Sequence, residues 1–196
     1  MAEQKYDLIK LERKLKNHLD RQRFQHTTGV MYTAVCMGMV HGGDPVKLQL
    51  AGLLHDCAKC IPDEKKLRLC GKYGITASHY EMTHPYMLHA KLGAHLAKKK
   101  FDIRDPEVLS AITWHTTGKA AMTVLEKIIY IADYIEPGRY KAPRLDEIRK
   151  MAFRDLDECM YMILHDTLAY LKTVEKEIDT VTESAYEYYC NLHNQG

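Results

Sequence analysis

The sequence lacks a hydrophobic run long enough to span a membrane, and its start, MAEQKYDLIK, carries charges where a signal peptide needs an apolar segment. Strong net charge is also absent: the formal charge is +2 at pH 7, and the longest block of like charge is the three lysines 98–100. These absences argue against a membrane protein and against an extended nucleic-acid-binding surface. We therefore expect a cytoplasmic protein that binds anionic ligands with a few placed cations.

Cysteine is scattered rather than dense. The six cysteines include one C-x-x-C pair, Cys57 and Cys60, without the second pair that a zinc knuckle requires. Their density is too low for a disulfide scaffold. We interpret them as reduced thiols, with a redox or metal role for the pair as the less favoured alternative.

Helical signals, in contrast, occur along the whole chain. The segments Asp44-Pro45 and Asp105-Pro106 each place a capping aspartate before a proline suited to the first helical position. Thr123 and Glu126 form a capping box before the run IIYIADYI, which composition alone would also allow as a buried strand. We predict a single all-α domain, 1–196, of roughly eight to ten helices. The last of them are expected at about 144–153, 155–175 and 182–193.

Two carboxylates lie within strongly apolar segments. His55 and Asp56 end the apolar helix in AGLLHDCAK, and Asp133 lies inside IIYIADYI. Burial of a carboxylate is costly unless it is paired or coordinates a cation. A divalent metal between the two helices would satisfy both carboxylates.

The chain is also rich in histidine, with 11 residues, and three more of them occupy notable positions. His26 precedes an apolar run, and His115 ends SAITWHTTG. His89 lies among leucines, and Gly93 one turn later leaves room for a ligand or a neighbouring backbone. Imidazole and carboxylate ligands suit Fe, Mn, Co, Zn or Ni.

These residues define one expected ion site and a second, optional one. We expect the first ion to be held by His26, His55, Asp56 and Asp133. His89 and His115, with Asp56 as a bridge, are candidates for the second.

The order of the motifs resembles the HD-domain superfamily of metal-dependent phosphohydrolases, and looks closest to its YqeK-type branch of symmetrical diadenosine-tetraphosphate hydrolases. The combination of HTTG with a later ADYIEPGR is more specific than the His-Asp pair. Ala90 departs from the glycine expected in LHGK-like relatives. The resembling segments, spanning about residues 17–140, are RFQHTTGV, AGLLHDCAK, LHAKLGAHLA, EVLSAITWHTTGK and LEKIIYIADYIEPGR.

The resemblance implies an HD-domain fold with a metal-binding core at about 17–140 and C-terminal helices at about 144–193 packing on it. It implies cleavage of diadenosine tetraphosphate into two ADP, with iron held by the four residues of the first site. It further implies nucleotide or phosphate contacts from Arg23, His89, His115 and Arg139. It leaves open whether His89 and His115 bind a second metal or the substrate phosphates.

Phosphoanhydride hydrolysis needs an activated water and neutralised phosphate oxygens. We expect Arg23, one helical turn before His26, and Lys59 to supply cations. The segment Thr116, Thr117 and Gly118 offers hydroxyls and open backbone to a phosphate chain. His89 or His115 is the candidate general acid, which with Asp56 completes the expected catalytic set.

Two other functions stay open at this point. One is another HD-type phosphohydrolase, acting on a deoxynucleotide or a cyclic nucleotide. The other is a non-catalytic module that binds a nucleotide or RNA, although such a module would be expected to have lost a ligand. The expected partner is a dinucleoside polyphosphate or other nucleotide, and a homodimer is left open.

Overall fold

The computed structural model describes residues 6–195, and within them the chain is entirely helical, with no strand. The all-α prediction is therefore confirmed. The described residues form one 3₁₀ helix, Pro85–Leu88, and eleven α-helices: α1 Leu8–Lys16, α2 Arg21–His41, α3 Pro45–Leu54, α4 Asp63–Tyr73, α5 His79–Thr83, α6 His89–Lys100, α7 Pro106–Trp114, α8 Val124–Ile135, α9 Leu145–Met151, α10 Leu156–Thr173 and α11 Thr180–His193.

The count exceeds the expected range by one α-helix. The additional short helix, α5, begins with a capping box between Ser78 and Glu81. The 3₁₀ helix Pro85–Leu88 leads directly into α6, which begins at His89.

The capping signals act as expected. Asp44 and Asp105 each accept two backbone hydrogen bonds at the start of α3 and α7. Thr123 and Glu126 form the capping box of α8, so IIYIADYI is helical rather than a strand. These caps fix the residues at which α3, α7 and α8 begin.

Five helices meet around the predicted site. The long helix α2 packs against α3 and α8, and α7 packs against α3, α6 and α8. Gly52 permits the close approach of α3 to α2, because a Cβ at this position would lie 2.7 Å from Met31 Cα. Gly93 admits a neighbouring backbone, since its Cβ position lies 3.4 Å from the His55 carbonyl oxygen. Both glycines thus bring the end of α3 into the centre of the molecule.

One cluster of buried apolar side chains runs from Leu11 in α1 to Tyr189 in α11. Within residues 6–195, no helix is long and apolar enough to cross a membrane.

Candidate metal centre

Four imidazoles and two carboxylates from five helical segments converge at one site. His26 comes from the second turn of α2, and Asp133 from the last turn of α8. His55 and His115 are the C-terminal caps of α3 and α7, and Asp56 follows His55 directly. His89 is the first residue of α6. The structure therefore brings together all six residues that the sequence predicted as ligands.

Asp56 lies between two pairs of histidines. Its Oδ2 lies 3.6 Å from His55 Nε2 and 3.9 Å from His26 Nε2. Its Oδ1 lies 3.3 Å from His89 Nε2 and 3.5 Å from His115 Nε2. Three overlapping groups among the described residues have ligand atoms close enough to share an ion: His26, His55 and Asp56; His55, His115 and Asp133; and Asp56, His89 and His115.

Three of the histidines are oriented by their own backbone. The Nδ1 atoms of His55, His89 and His115 each donate to the carbonyl three residues earlier, at 2.7, 2.6 and 2.7 Å. A carbonyl only accepts, so the Nδ1 atom carries the proton and the Nε2 lone pair is turned toward the centre. The Gly52 and Ile112 carbonyls lie in the last turns of α3 and α7, where carbonyls lack helical partners, and the Tyr86 carbonyl lies in the 3₁₀ helix that precedes α6.

His26 is oriented in a different way. It lies inside α2, where helical N–H groups use the carbonyls of the preceding turn. Its Nδ1 atom instead donates to Glu136 Oε1 at 3.0 Å. We did not predict Glu136 as a functional residue. The available signal was its place in IEPGR, directly after the helix that carries Asp133.

Burial keeps the central imidazoles neutral. It lowers the pKa of both His55 and His89 to about 4, so both have a free Nε2 lone pair at neutral pH. Burial alone would raise the pKa of Asp56, but the imidazoles of His55 and His115 hold it well below its ordinary value. Burial would likewise raise the pKa of Asp133, but His26, His55 and Arg139 lower it. The carboxylates are therefore ionised, as metal ligands must be.

The donor atoms fit a divalent metal. His55 Nε2 and Asp56 Oδ1 are buried and, within the described part of the chain, have no hydrogen-bond partner, and the buried His26 Nε2 lies 3.0 Å from Asp133 Oδ1. Buried polar atoms are normally paired, and a cation placed between these ligand candidates would pair them. Mixed imidazole and carboxylate donors suit a transition metal better than calcium.

Three of the predicted cations lie at this centre. Arg23 Nη1 donates to Asp56 Oδ2 at 2.7 Å, and Arg139 Nη2 donates to Asp133 Oδ1 at 2.6 Å. Lys59 Nζ lies 3.1 Å from His89 Nε2. The two arginines also line a cavity of about 650 Å³ that opens beside His26.

In the HTTG segment at 115–118, some residues contact the metal centre and others make only structural contacts. The Thr116 hydroxyl lies 3.1 Å from His115 Nε2 and 3.2 Å from His89 Nε2. The Thr117 hydroxyl instead donates to the Gly118 carbonyl at 2.9 Å. Gly118 has a φ of +67° and packs against Tyr130 and α11. The contacts of Thr117 and Gly118 are therefore structural, and phosphate binding by these two residues stays a prediction.

The two cysteines of the C-x-x-C pair have separate partners. The Cys57 thiol donates to the Gly93 carbonyl, and burial raises the pKa of Cys57 to about 12. The Cys60 thiol donates to Asp20 Oδ2. These contacts favour the interpretation of the pair as reduced structural thiols.

The comparisons with known proteins agree with this geometry. The HD domain family model matches residues 23–138, a range that contains all six ligand candidates. The chain is 35% identical over 174 residues to the symmetrical bis(5′-nucleosyl)-tetraphosphatase of Bacillus subtilis, covering 89% of this chain and 92% of that protein. It is also 35% identical over 185 residues to the protein of the same name from Staphylococcus aureus, covering 93% and 94%.

A solved structure is similar over nearly the whole chain. It is a crystal structure from Clostridium acetobutylicum, described as a predicted HD superfamily hydrolase involved in NAD metabolism, with a TM-score of 0.91 and 39% identity. The match covers 96% of this chain and 99% of that one. The chain therefore belongs to the HD-domain family, in the branch that contains the proteins named symmetrical bis(5′-nucleosyl)-tetraphosphatase.

Proposed function

We propose that the protein is a metal-dependent phosphohydrolase that cleaves diadenosine tetraphosphate symmetrically into two ADP. The observation that carries the proposal is the convergence of four imidazole Nε2 atoms and two carboxylates beside three cationic side chains and a cavity. The choice of diadenosine tetraphosphate as the substrate is based on the relatives that are named for this activity. The sequence matches to these relatives cover most of the length of both chains, so the proposal applies to the chain as a whole.

The ion is assigned to the ligands His26, His55, Asp56 and Asp133. We propose iron, with manganese, cobalt, zinc and nickel as metals of similar ligand preference. When bound, such an ion supplies Lewis-acid activation of a water molecule and polarisation of a phosphoryl oxygen.

We propose one ion rather than two, because the Lys59 side chain lies where a second ion, held by His89 and His115, would bind. Its ammonium group lies 3.1 Å from His89 Nε2, the atom that a second ion would need as a ligand. Elemental analysis should give one ion per chain for the natural protein. Two ions per chain would contradict the assignment.

Arg23 and Arg139 bind the polyphosphate in this proposal. Each guanidinium has five N–H donors, and the ion pairs with Asp56 and Asp133 use only some of them. The remaining donors can bind phosphate oxygens in the cavity while the carboxylates stay in place.

His89 and His115 are the candidates to protonate the departing ADP. Their Nε2 atoms lie 3.1 Å apart, with the Thr116 hydroxyl within reach of both. The Nε2 atom of such an imidazole is unprotonated, so it can take up the proton that the attacking water releases and pass that proton to the leaving phosphate.

Product analysis with intact purified protein tests the proposed activity. Diadenosine tetraphosphate with iron or manganese should give ADP alone. AMP plus ATP, or no turnover, would contradict the proposal. A parallel panel of deoxynucleotides and cyclic nucleotides tests the alternative HD-type activities, and tight nucleotide binding without turnover would support a non-catalytic module.

The cellular location is also a proposal. All six cysteines are free, and three of them are buried. Free thiols in such number are typical of a reducing compartment, so we propose a cytoplasmic protein. The homodimer stays a prediction.

A further inference from the structure

Glu136 is a buried carboxylate whose side chain makes no hydrogen bond within α8. It is 4% exposed and lies at the C-terminal end of α8, where its backbone N–H donates to the Ala132 carbonyl. Within residues 6–195, the only side chain in ion-pair distance of its carboxylate is His26. A buried carboxylate without a lysine or arginine is costly, which points to a role for the His26 contact.

The carboxylate is fixed at both oxygens. Oε1 accepts the His26 Nδ1 proton at 3.0 Å, and Oε2 accepts the Gly138 backbone N–H at 2.6 Å. The tight turn Glu136-Pro137-Gly138 thus aims the side chain back at α2. An acceptor held this firmly fixes both the ring orientation and the tautomer of His26.

Gly29 provides the space for this contact. It lies three residues after His26 on α2, and a Cβ at this position would lie 2.7 Å from Glu136 Oε2. Glycine inside a helix is unfavourable compared with alanine. The carboxylate that passes over the helix explains why a glycine stands at this position.

We propose that Glu136 is a positioning residue for the metal centre and that Gly29 is the space that admits it. The carboxylate accepts the Nδ1 proton of His26, keeps the Nε2 lone pair directed at the ion and makes the imidazole a stronger ligand. This inference rests on the proposed function, because it assigns His26 as a metal ligand.

Metal affinity of the full-length protein tests the role. Glu136→Ala should weaken the binding of Co²⁺ or Mn²⁺ about 10- to 100-fold, the usual effect of removing a partner that orients a ligand. Glu136→Gln keeps an acceptor oxygen without the charge, so its Kd should lie between those of the alanine variant and the natural protein. Gly29→Ala should weaken binding in the same direction, because the added methyl group displaces the carboxylate.

Glu126→Gln is the matched control. Glu126 is also a buried carboxylate of α8, 1% exposed, but it caps the first turn and hydrogen-bonds Ser110. Its substitution should leave the metal Kd unchanged. Equal losses in Glu126→Gln and Glu136→Gln would overturn the inference, because general damage to α8 would then explain both.

A readout on the metal-free protein separates this inference from the proposed function. ¹⁵N NMR of histidine-labelled protein, with the His26 signal assigned by its loss in His26→Gln, should show a protonated Nδ1 that is lost or exchanges rapidly in Glu136→Ala. An unchanged His26 signal together with an unchanged metal Kd in Glu136→Ala would overturn the positioning role. A natural protein that binds metal but turns over no diadenosine tetraphosphate would contradict only the proposed substrate.

Discussion

The metal centre has two halves that are built in different ways. His55, His89 and His115 are anchored by backbone carbonyls, and their side chains are 0%, 1% and 1% exposed. His26 and Asp133 are anchored by the side chains of Glu136 and Arg139, and are 10% and 22% exposed beside the cavity. We call His55, His89 and His115 the closed half, and the ends of their helices determine how these side chains are oriented. We call His26 and Asp133 the open half, which depends on individual side chains, so we expect substitutions there to alter binding and turnover more than folding.

Asp56 joins the two halves, and its loss should have the largest effect. Asp56→Ala removes the oxygens that face both pairs of histidines. We expect turnover to fall on the order of 1000-fold, since a Lewis acid contributes several kcal/mol and each 1.4 kcal/mol is tenfold in rate. Asp157→Ala is the control, because it removes an ion pair with Lys127 that includes none of the six ligand candidates. Comparable turnover in the two variants, measured at saturating metal, would contradict the assignment.

Gly52→Ala should damage the closed half through the fold. The new methyl group would lie 2.7 Å from Met31 Cα, a backbone atom that cannot move alone. We expect a loss of about 1–3 kcal/mol in the free energy of unfolding, measured by urea titration. Gly71→Ala in α4 is the control, because no atom lies within 4 Å of its Cβ position, and it should be neutral or stabilising. A neutral Gly52→Ala would mean that α2 and α3 can separate without cost.

Arg23→Ala should affect the open half with little effect on the fold. Removal of a charge-assisted hydrogen bond to phosphate costs about 1.5–3 kcal/mol, so we expect the KM for diadenosine tetraphosphate to rise about 10- to 100-fold. Arg104→Ala, an exposed arginine paired with Asp102, should leave KM unchanged. An unchanged KM in Arg23→Ala would show that the guanidinium serves only Asp56.

The smallest expected effect on turnover is the difference between substitutions of Thr116 and Thr117, the two threonines of the HTTG segment at 115–118. Thr116→Val removes a hydroxyl next to His89 and His115, so kcat should fall about 2- to 10-fold. Thr117→Val removes a hydroxyl bonded to the Gly118 carbonyl, and it should leave kcat nearly unchanged. A larger fall of kcat in Thr117→Val than in Thr116→Val would place the phosphate contact at Thr117.

The ligand candidates were predictable because burial of their side chains is costly. His55, Asp56 and Asp133 are polar groups in apolar helices, and the need to satisfy them predicted a common site. Local capping residues, such as Asp44 and the Thr123–Glu126 pair, likewise predicted the helices on which these groups lie.

Glu136 could not be predicted in the same way. It follows the apolar run of α8 and precedes Pro137-Gly138, a pattern that indicates only the end of a helix. Its contact with His26 arises from the packing of α8 against α2, which joins residues 110 positions apart. The ion pairs of Arg23 and Arg139 with the ligand carboxylates are tertiary contacts of the same kind, and Gly93 could be assigned to a neighbouring backbone only once the path of α3 was known.

The most direct test of the metal centre is elemental analysis of anaerobically purified protein and its Asp133→Ala variant, combined with turnover of diadenosine tetraphosphate by the same samples. We expect one ion per chain in the natural protein, with metal and ADP formation lost together in the variant. Full turnover by an Asp133→Ala protein that contains no metal would contradict the account.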